Sequence, residues 1–194
     1  DAAVDSGGSV DLTATQDAAI YSFAGGVAAT GAVSVQVSLA ANVITNTTET
    51  AITGSTIDAE GDVSLSARDT SSIDALAFGV SGSGAVAVGV ALSANIIANT
   101  VTASIADSTV TAGGAVSLTA HSQAAIRAVA LGVSGSGAVA VQVTAMGNVI
   151  ANTVTTAITG STVTAANGVS LDAADLAPGT IPDWIVPADK RSEE

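Results

Sequence analysis

A lone histidine, three clustered carboxylates and two rows of asparagines are the residues of this 194-residue chain whose types could do chemistry. Histidine is the usual general base and metal ligand near neutral pH. His121, however, repeats as Arg68 at the same offset one period back and as Thr15 two periods back. A position that accepts any polar residue is expected to be an exposed strand end. A Ser-His-Asp assembly would have to use this one histidine, and nothing sets its serine neighbours apart from the many others. The chain has no cysteine, so it offers no thiol nucleophile, thiolate metal site or disulfide. Asp58, Glu60 and Asp62 could hold calcium through oxygen ligands. The same offsets in the next copy carry Thr111, Gly113 and Ala115, and the glycine-aspartate nonapeptide of calcium-binding β-rolls is absent. A solvated acidic corner is the expectation. No catalytic, cofactor-binding or metal-binding residue is assigned, and the chain is read as a non-enzyme.

The asparagines lead to the organisation of the chain. Asn42, Asn95 and Asn148 are spaced by 53 residues, and so are Asn46, Asn99 and Asn152. Val63, Val116 and Val169 keep the same period, with Val10 one period earlier, and so do Ile20, Ile73 and Ile126. A fixed period of this length marks a stacked array. Stacked about 4.8 Å apart, the amides of each asparagine row would donate to and accept from one another, so buried polar groups would be satisfied in pairs. The same stacking puts Asp74 beside Arg127 as a cross-coil ion pair. Threonines at Thr109, Thr111, Thr162 and Thr164, with Thr153 and Thr155, form a competing pattern: a flat hydroxyl-methyl array of the ice-binding kind. Ile57 and Asp58 interrupt it in the first copy, and Thr is also an ordinary strand former.

Within a copy the apolar runs are short, alternating or β-branched, and Gly, Asn and Ser bound them, which predicts strands. Val139, Val141 and Val143 point one way, and Ala138, Ala140 and Gln142 the other. In the second copy Val86, Val88 and Val90 oppose Ala85, Ala87, Gly89 and Ala91, a face small enough for another sheet to lie close. The Gly-Ser phrases Ser81–Gly84 and Ser134–Gly137 are expected to reverse the chain, with glycine supplying positive φ. A phosphate loop is disfavoured, because neither the P-loop nor the GxGxxG spacing is present. The predicted fold is all-β, a β-solenoid of three 53-residue repeats at about 10–62, 63–115 and 116–168, spanning 1–176. A proline-containing tail, 177–194, follows as a cap or linker. Whether a repeat makes one wide coil or two is left open by the period alone.

Composition agrees. Hydrophobic residues make up 48% and aromatics only 2%, so the interior must be built from Val, Ile, Leu and Ala. A net charge of -13 with four scattered basic residues excludes nucleic acid, whose phosphates demand clustered Lys and Arg, and disfavours anionic membrane surfaces. The uncharged stretches Ala75–Ala106 and Ala128–Leu171 have the hydropathy of membrane spans. Their Gly-Ser interruptions and β-branched residues make them strands instead; a membrane barrel, whose strands alternate more weakly over about ten residues, is the lesser alternative, and no membrane insertion is expected.

The run STVTAGGAVSLTA, together with GVSGSGAVAV and the NxIxNT phrase, resembles the repeat regions of very large secreted bacterial adhesins. These are the filamentous-haemagglutinin and leukotoxin-like filamentous adhesins, and the likeness covers about Val10 to Leu171. It implies a β-solenoid stalk or filament outside the cell, at the bacterial surface. It carries over no ligand-binding residue. The expected role is therefore a structural or adhesive repeat unit, whose partners are copies of itself or flanking repeats of the same protein, with host or cell-surface carbohydrate as a further partner. The alternative is an ice- or carbohydrate-binding solenoid.

Overall fold

A computed structural model describes residues 2–177, and within them the chain forms fourteen strands and no helix. After a short strand β1 (Ala3–Ser6), one four-strand pattern is written three times. The first coil is β2 (Val10–Thr30), β3 (Val33–Ile44), β4 (Thr47–Thr53) and β5 (Thr56–Ala59). The second is β6 (Val63–Ser83), β7 (Val86–Ile97), β8 (Thr100–Ala106) and β9 (Thr109–Ala112). The third is β10 (Val116–Ser136), β11 (Val139–Ile150), β12 (Thr153–Thr159) and β13 (Thr162–Ala165), and β14 (Val169–Leu176) opens another.

Every strand pairs in parallel with its equivalent one period away, as Val10 with Val63, Val63 with Val116 and Val116 with Val169. One repeat is thus one wide coil, which settles the alternative that the period left open. Four parallel sheets result, ordered β1-β5-β9-β13, β2-β6-β10-β14, β3-β7-β11 and β4-β8-β12. Of the proline-containing tail only Ala177 belongs to the described residues; its carbonyl accepts a bond from Gln123 Nε2 at 3.3 Å.

Each coil has two parts, and the burial of the long strands divides them. In β6, Val63, Leu65 and Ala67 point inward and are wholly buried. They meet Val101 and Ile105 of β8 and Val110 of β9 in a closed aliphatic core. This body is the Val-Ile-Leu interior that the composition requires. Farther along the same strand the inward residues become Ala75, Ala77, Gly79 and Ser81, facing the small side of β7. This second part is a thin two-layered lobe. Its interior is Ala, Gly and Ser, and its valines point outward, so of the Val, Ile, Leu and Ala expected inside, the lobe keeps chiefly the Ala.

The corners explain the small residues. Positive φ occurs at Gly54 and Gly160 and, in the second coil, at their equivalent Asp107 with φ 48°. A β-branched side chain resists this left-handed conformation, which costs an L-residue about 1–2 kcal/mol. Asp107→Val should therefore lower the unfolding free energy by up to about that amount, read from a denaturant midpoint. The lobe tips differ from expectation. Strands run through Ser83 and Ser136, so only two residues turn the chain, and the tip glycines have no positive φ. At Gly84 an added Cβ would strike the carbonyl of Gly31, and at Gly137 that of Gly84. Glycine is required there because successive coils stack backbone on backbone.

Candidate functional surfaces

Between the body and the lobe lies a buried polar seam that the strand alternation assembles from three places in the coil. Asp69 on β6 points inward, fully buried, and Ser71 follows on the same face. The corner after β7 supplies Asn99, also buried. Asn99 Nδ2 donates to Asp69 Oδ1 at 2.6 Å and to Ser71 Oγ at 2.9 Å, and Ser71 Oγ donates to Asp69 Oδ1 at 2.8 Å. From the first coil Asn46 Nδ2 reaches Asp69 Oδ2 at 3.1 Å. No Lys or Arg pairs with this carboxylate among the described residues, so hydrogen bonds alone compensate its desolvation. The aspartate was missed in the sequence, although its equivalents Gln16, Ser122 and Asp175 are polar at an inward position in every copy.

The two asparagine rows solve different problems. Asn42 Nδ2 donates to Asn95 Oδ1 at 2.7 Å, and Asn95 Nδ2 to Asn148 Oδ1 at 2.8 Å. This is the expected amide ladder. In the other row the backbone N–H of Asn46 donates to Asn99 Oδ1 at 3.0 Å, and that of Asn99 to Asn152 Oδ1 at 3.1 Å. Here the amide-to-amide expectation is corrected. These residues sit at a corner where the strand ladder lapses, and each side chain takes up a main-chain donor of the preceding coil. The serines of the next corner repeat the device: Ser55 N donates to Ser108 Oγ, and Ser108 N to Ser161 Oγ, both at 3.0 Å.

The remaining candidates are surface features. His121 lies within β10, partly buried, with Nε2 at 2.9 Å from Asp172 Oδ2, and not at the expected exposed strand end. Of the acidic corner, Asp62 Oδ1 accepts the N–H of Ala115 at 2.7 Å, a coil-to-coil link of the kind the serines make. No three His, Cys, Asp or Glu side chains gather as a metal site among the described residues. On the threonine face, Thr47, Thr100 and Thr153 align, as do Thr56, Thr109 and Thr162, whereas Glu49 and Asp58 break the rows beside them. Ile57 points inward and is buried, so it plays no part in interrupting that plane.

The lobe carries the largest surface feature. Several of its inward polar groups bond within the slab: Gln36 Nε2 to Ser38 Oγ at 2.6 Å, Ser38 Oγ to the Phe78 carbonyl at 2.7 Å, and Ser134 with Gln142 Oε1 at 2.8 Å, while Gln36 Oε1, Ser83 Oγ and Ser136 Oγ are buried without a partner among the described residues. Gly79 leaves room for Gln36, and Gly132 for Gln142, where a Cβ would collide. Both outer faces are apolar. Even in the central coil, flanked on both sides, Val80 and Ile96 remain 39% and 40% exposed. At the root of the lobe Arg127 grips Asp74 through two bonds of 2.5 and 2.7 Å, the expected cross-coil pair. Bonding to Asp74, then its charge, raises the guanidinium pKa above its ordinary value.

No family model, curated protein or solved structure matches this chain. The stacked geometry and its surfaces therefore carry the functional argument.

Proposed function

We propose that the chain is a structural repeat unit of an extracellular bacterial filament or giant adhesin, joined end to end through β-strand stacking. One observation carries this reading: the stack ends in strands whose outer hydrogen-bonding edges have no neighbour among the described residues. β2, β3 and β4 close one end, and β11, β12 and β13 the other. Such edges template the addition of further strands. β1 and β14 supply the pattern for it, because each pairs in register as a fragment of an adjoining coil. Identical coils make the two ends complementary, and a head-to-tail contact of this kind need not close into a ring. The extracellular setting rests on the likeness of the repeat phrases to adhesin stalks. The function is mechanical, and its partners are copies of the chain or flanking repeats of a longer parent.

Sedimentation velocity with negative-stain microscopy at micromolar concentration tests the proposal. Elongated species that lengthen with concentration, about one coil thickness per added strand layer, are the expected result. A stable monomer at every concentration would remove the fibre reading and leave a ligand-binding solenoid in its place.

A further inference from the structure

We infer that the lobe is a lipid-binding fin, whose outer faces are built to lie in the hydrocarbon of a bilayer. Four observations converge on this occupant.

The first is polarity. In the body, apolar residues fill most inward positions, Thr48 and Thr50 of β4 being buried exceptions, and Thr, Ser and Asp cover the outside. In the lobe the order is reversed: Gln36, Ser38 and Ser81 are buried inside, while Val35, Leu39 and Phe23 are 62%, 63% and 71% exposed. Apolar-out with polar-in is the alternation of strands that face lipid.

The second is charge. No Asp, Glu, Lys, Arg or His occurs between Asp17 and Glu49, between Asp74 and Asp107, or between Arg127 and Asp172. Those gaps contain the whole lobe of all three coils, tips included. Nothing charged would have to be carried into an apolar phase.

The third is the position of the boundary. Tyr21, Asp74 and Arg127 stack in one row across β2, β6 and β10, with Tyr21 79% exposed. Aromatic and charged groups thus gather where the apolar faces begin, as they do at a membrane interface. From that row to the ends of the strands, Tyr21–Thr30 covers about 30 Å at about 3.3 Å per residue. A hydrocarbon core is about 30 Å thick, and strands of about 9–11 residues cross it.

The fourth is area. One outer face is three strands of twelve residues, about 14 Å by 40 Å from strand spacing and rise. That is about 560 Å² of flat footprint for each chain, and end-to-end stacking multiplies it along the filament. A second copy lying on one face would leave the other face bare. Lipid covers both faces and the tip together.

Strand edges set the condition for insertion. Unpaired backbone groups at the two ends of the lobe are hydrated in water and prohibitively costly in hydrocarbon. The inference therefore rests on the end-to-end reading, since stacking removes those edges. It also departs from the expectation of no membrane insertion, which was drawn from the Gly-Ser interruptions and β-branched residues without knowing which way the valines face.

The chain has no cysteine, so Val88→Cys on the fin and Ser66→Cys on the body each accept one polarity-sensitive fluorophore. The test mixes these proteins, sized beforehand by sedimentation, with phosphatidylcholine vesicles, which are zwitterionic to suit the acidic chain. Protein should float with the vesicles, with a blue shift at residue 88 and none at residue 66. Leu76→Asp combined with Val88→Asp places one charge on each outer face, where both side chains are partly exposed. It should reduce flotation at least tenfold and leave stacking intact. Filaments that do not float, with no shift at residue 88, would overturn the lipid inference and spare the stacking reading. Flotation without filaments, with the shift confined to residue 88, would overturn the stacking reading and the edge condition drawn from it, and keep only the contact of the fin's faces with lipid. A shift at residue 88 that grows with protein concentration and ignores vesicles would assign the faces to a second copy, and equal shifts at both residues would mean unspecific adsorption; either result overturns the inference.

Discussion

Replacing Asn99 by leucine is expected to lower the unfolding free energy by about 3–5 kcal/mol, the scale for stripping a buried charged group of its partner. Asn99 supports Asp69 from one side and the main chain of the preceding coil from the other. Leucine provides neither bond. The fully buried carboxylate keeps only Ser71 and the weaker 3.1 Å bond from Asn46. A hydrogen bond to a charged group contributes about 1.5–3 kcal/mol, and the backbone N–H of Asn46, left without its acceptor, costs about 1–3 kcal/mol more. Asn95→Leu should cost less, because its partners Asn42 and Asn148 are partly or fully exposed and can turn to water. Thr109→Ser, on an exposed position of β9, should stay within about 0.5 kcal/mol of the parent. Urea denaturation followed by circular dichroism would rank the three. Equal midpoints for Asn99→Leu and Thr109→Ser would mean that the polar seam does not hold the coils together.

The seam also shows what could be read from the sequence and what could not. Period and register were legible because every copy repeats the same phrase: once Val63 and Val116 are equivalent, the pairing of Asp74 with Arg127 follows. The close approach behind the lobe valines was legible too, since Ala87, Gly89 and Ala91 leave no other way to fill a sheet interface. Which face points outward was not. A strand with Val on one side and Ala on the other has two apolar sides, and alternation labels neither as interior. The orientation is settled by the turn into the body, where Leu65 and Ala67 must be buried; parity then carries Ala77 and Gly79 inward on the same strand. Asp69 stayed hidden for a related reason. A charged residue normally belongs at the surface, while its parity with Leu65 and Ala67 places it inside. Where charge and parity disagreed, parity decided, and the corner asparagines supplied the donors that made it tolerable.

The parity that sends side chains in or out also aims the backbone, and on this rests the most drastic effect expected of a single substitution, the loss of end-to-end growth in Ala51→Pro. Thr100 N–H donates to the carbonyl of Asn46 in the preceding coil. Outward-facing residues of β8 therefore direct their N–H groups backward, and their equivalents in β4 direct them at the open end of the stack. Ala51 is one of these, exposed and, among the described residues, without a neighbouring strand beyond it. Proline there removes a donor that no residue of the described chain uses, and its ring fills the space an arriving coil must enter. The protein should fold with near-parental stability and remain a single particle at concentrations where the parent forms filaments. Ser104→Pro makes the same exchange one period later, where the N–H belongs to a ladder flanked by β4 and β12. That variant should lose about 3 kcal/mol or more. Sedimentation separates the two effects: growth by Ala51→Pro at the parental rate would show that addition does not occur through the β2–β4 end, and the stacked edges would lose their role in assembly.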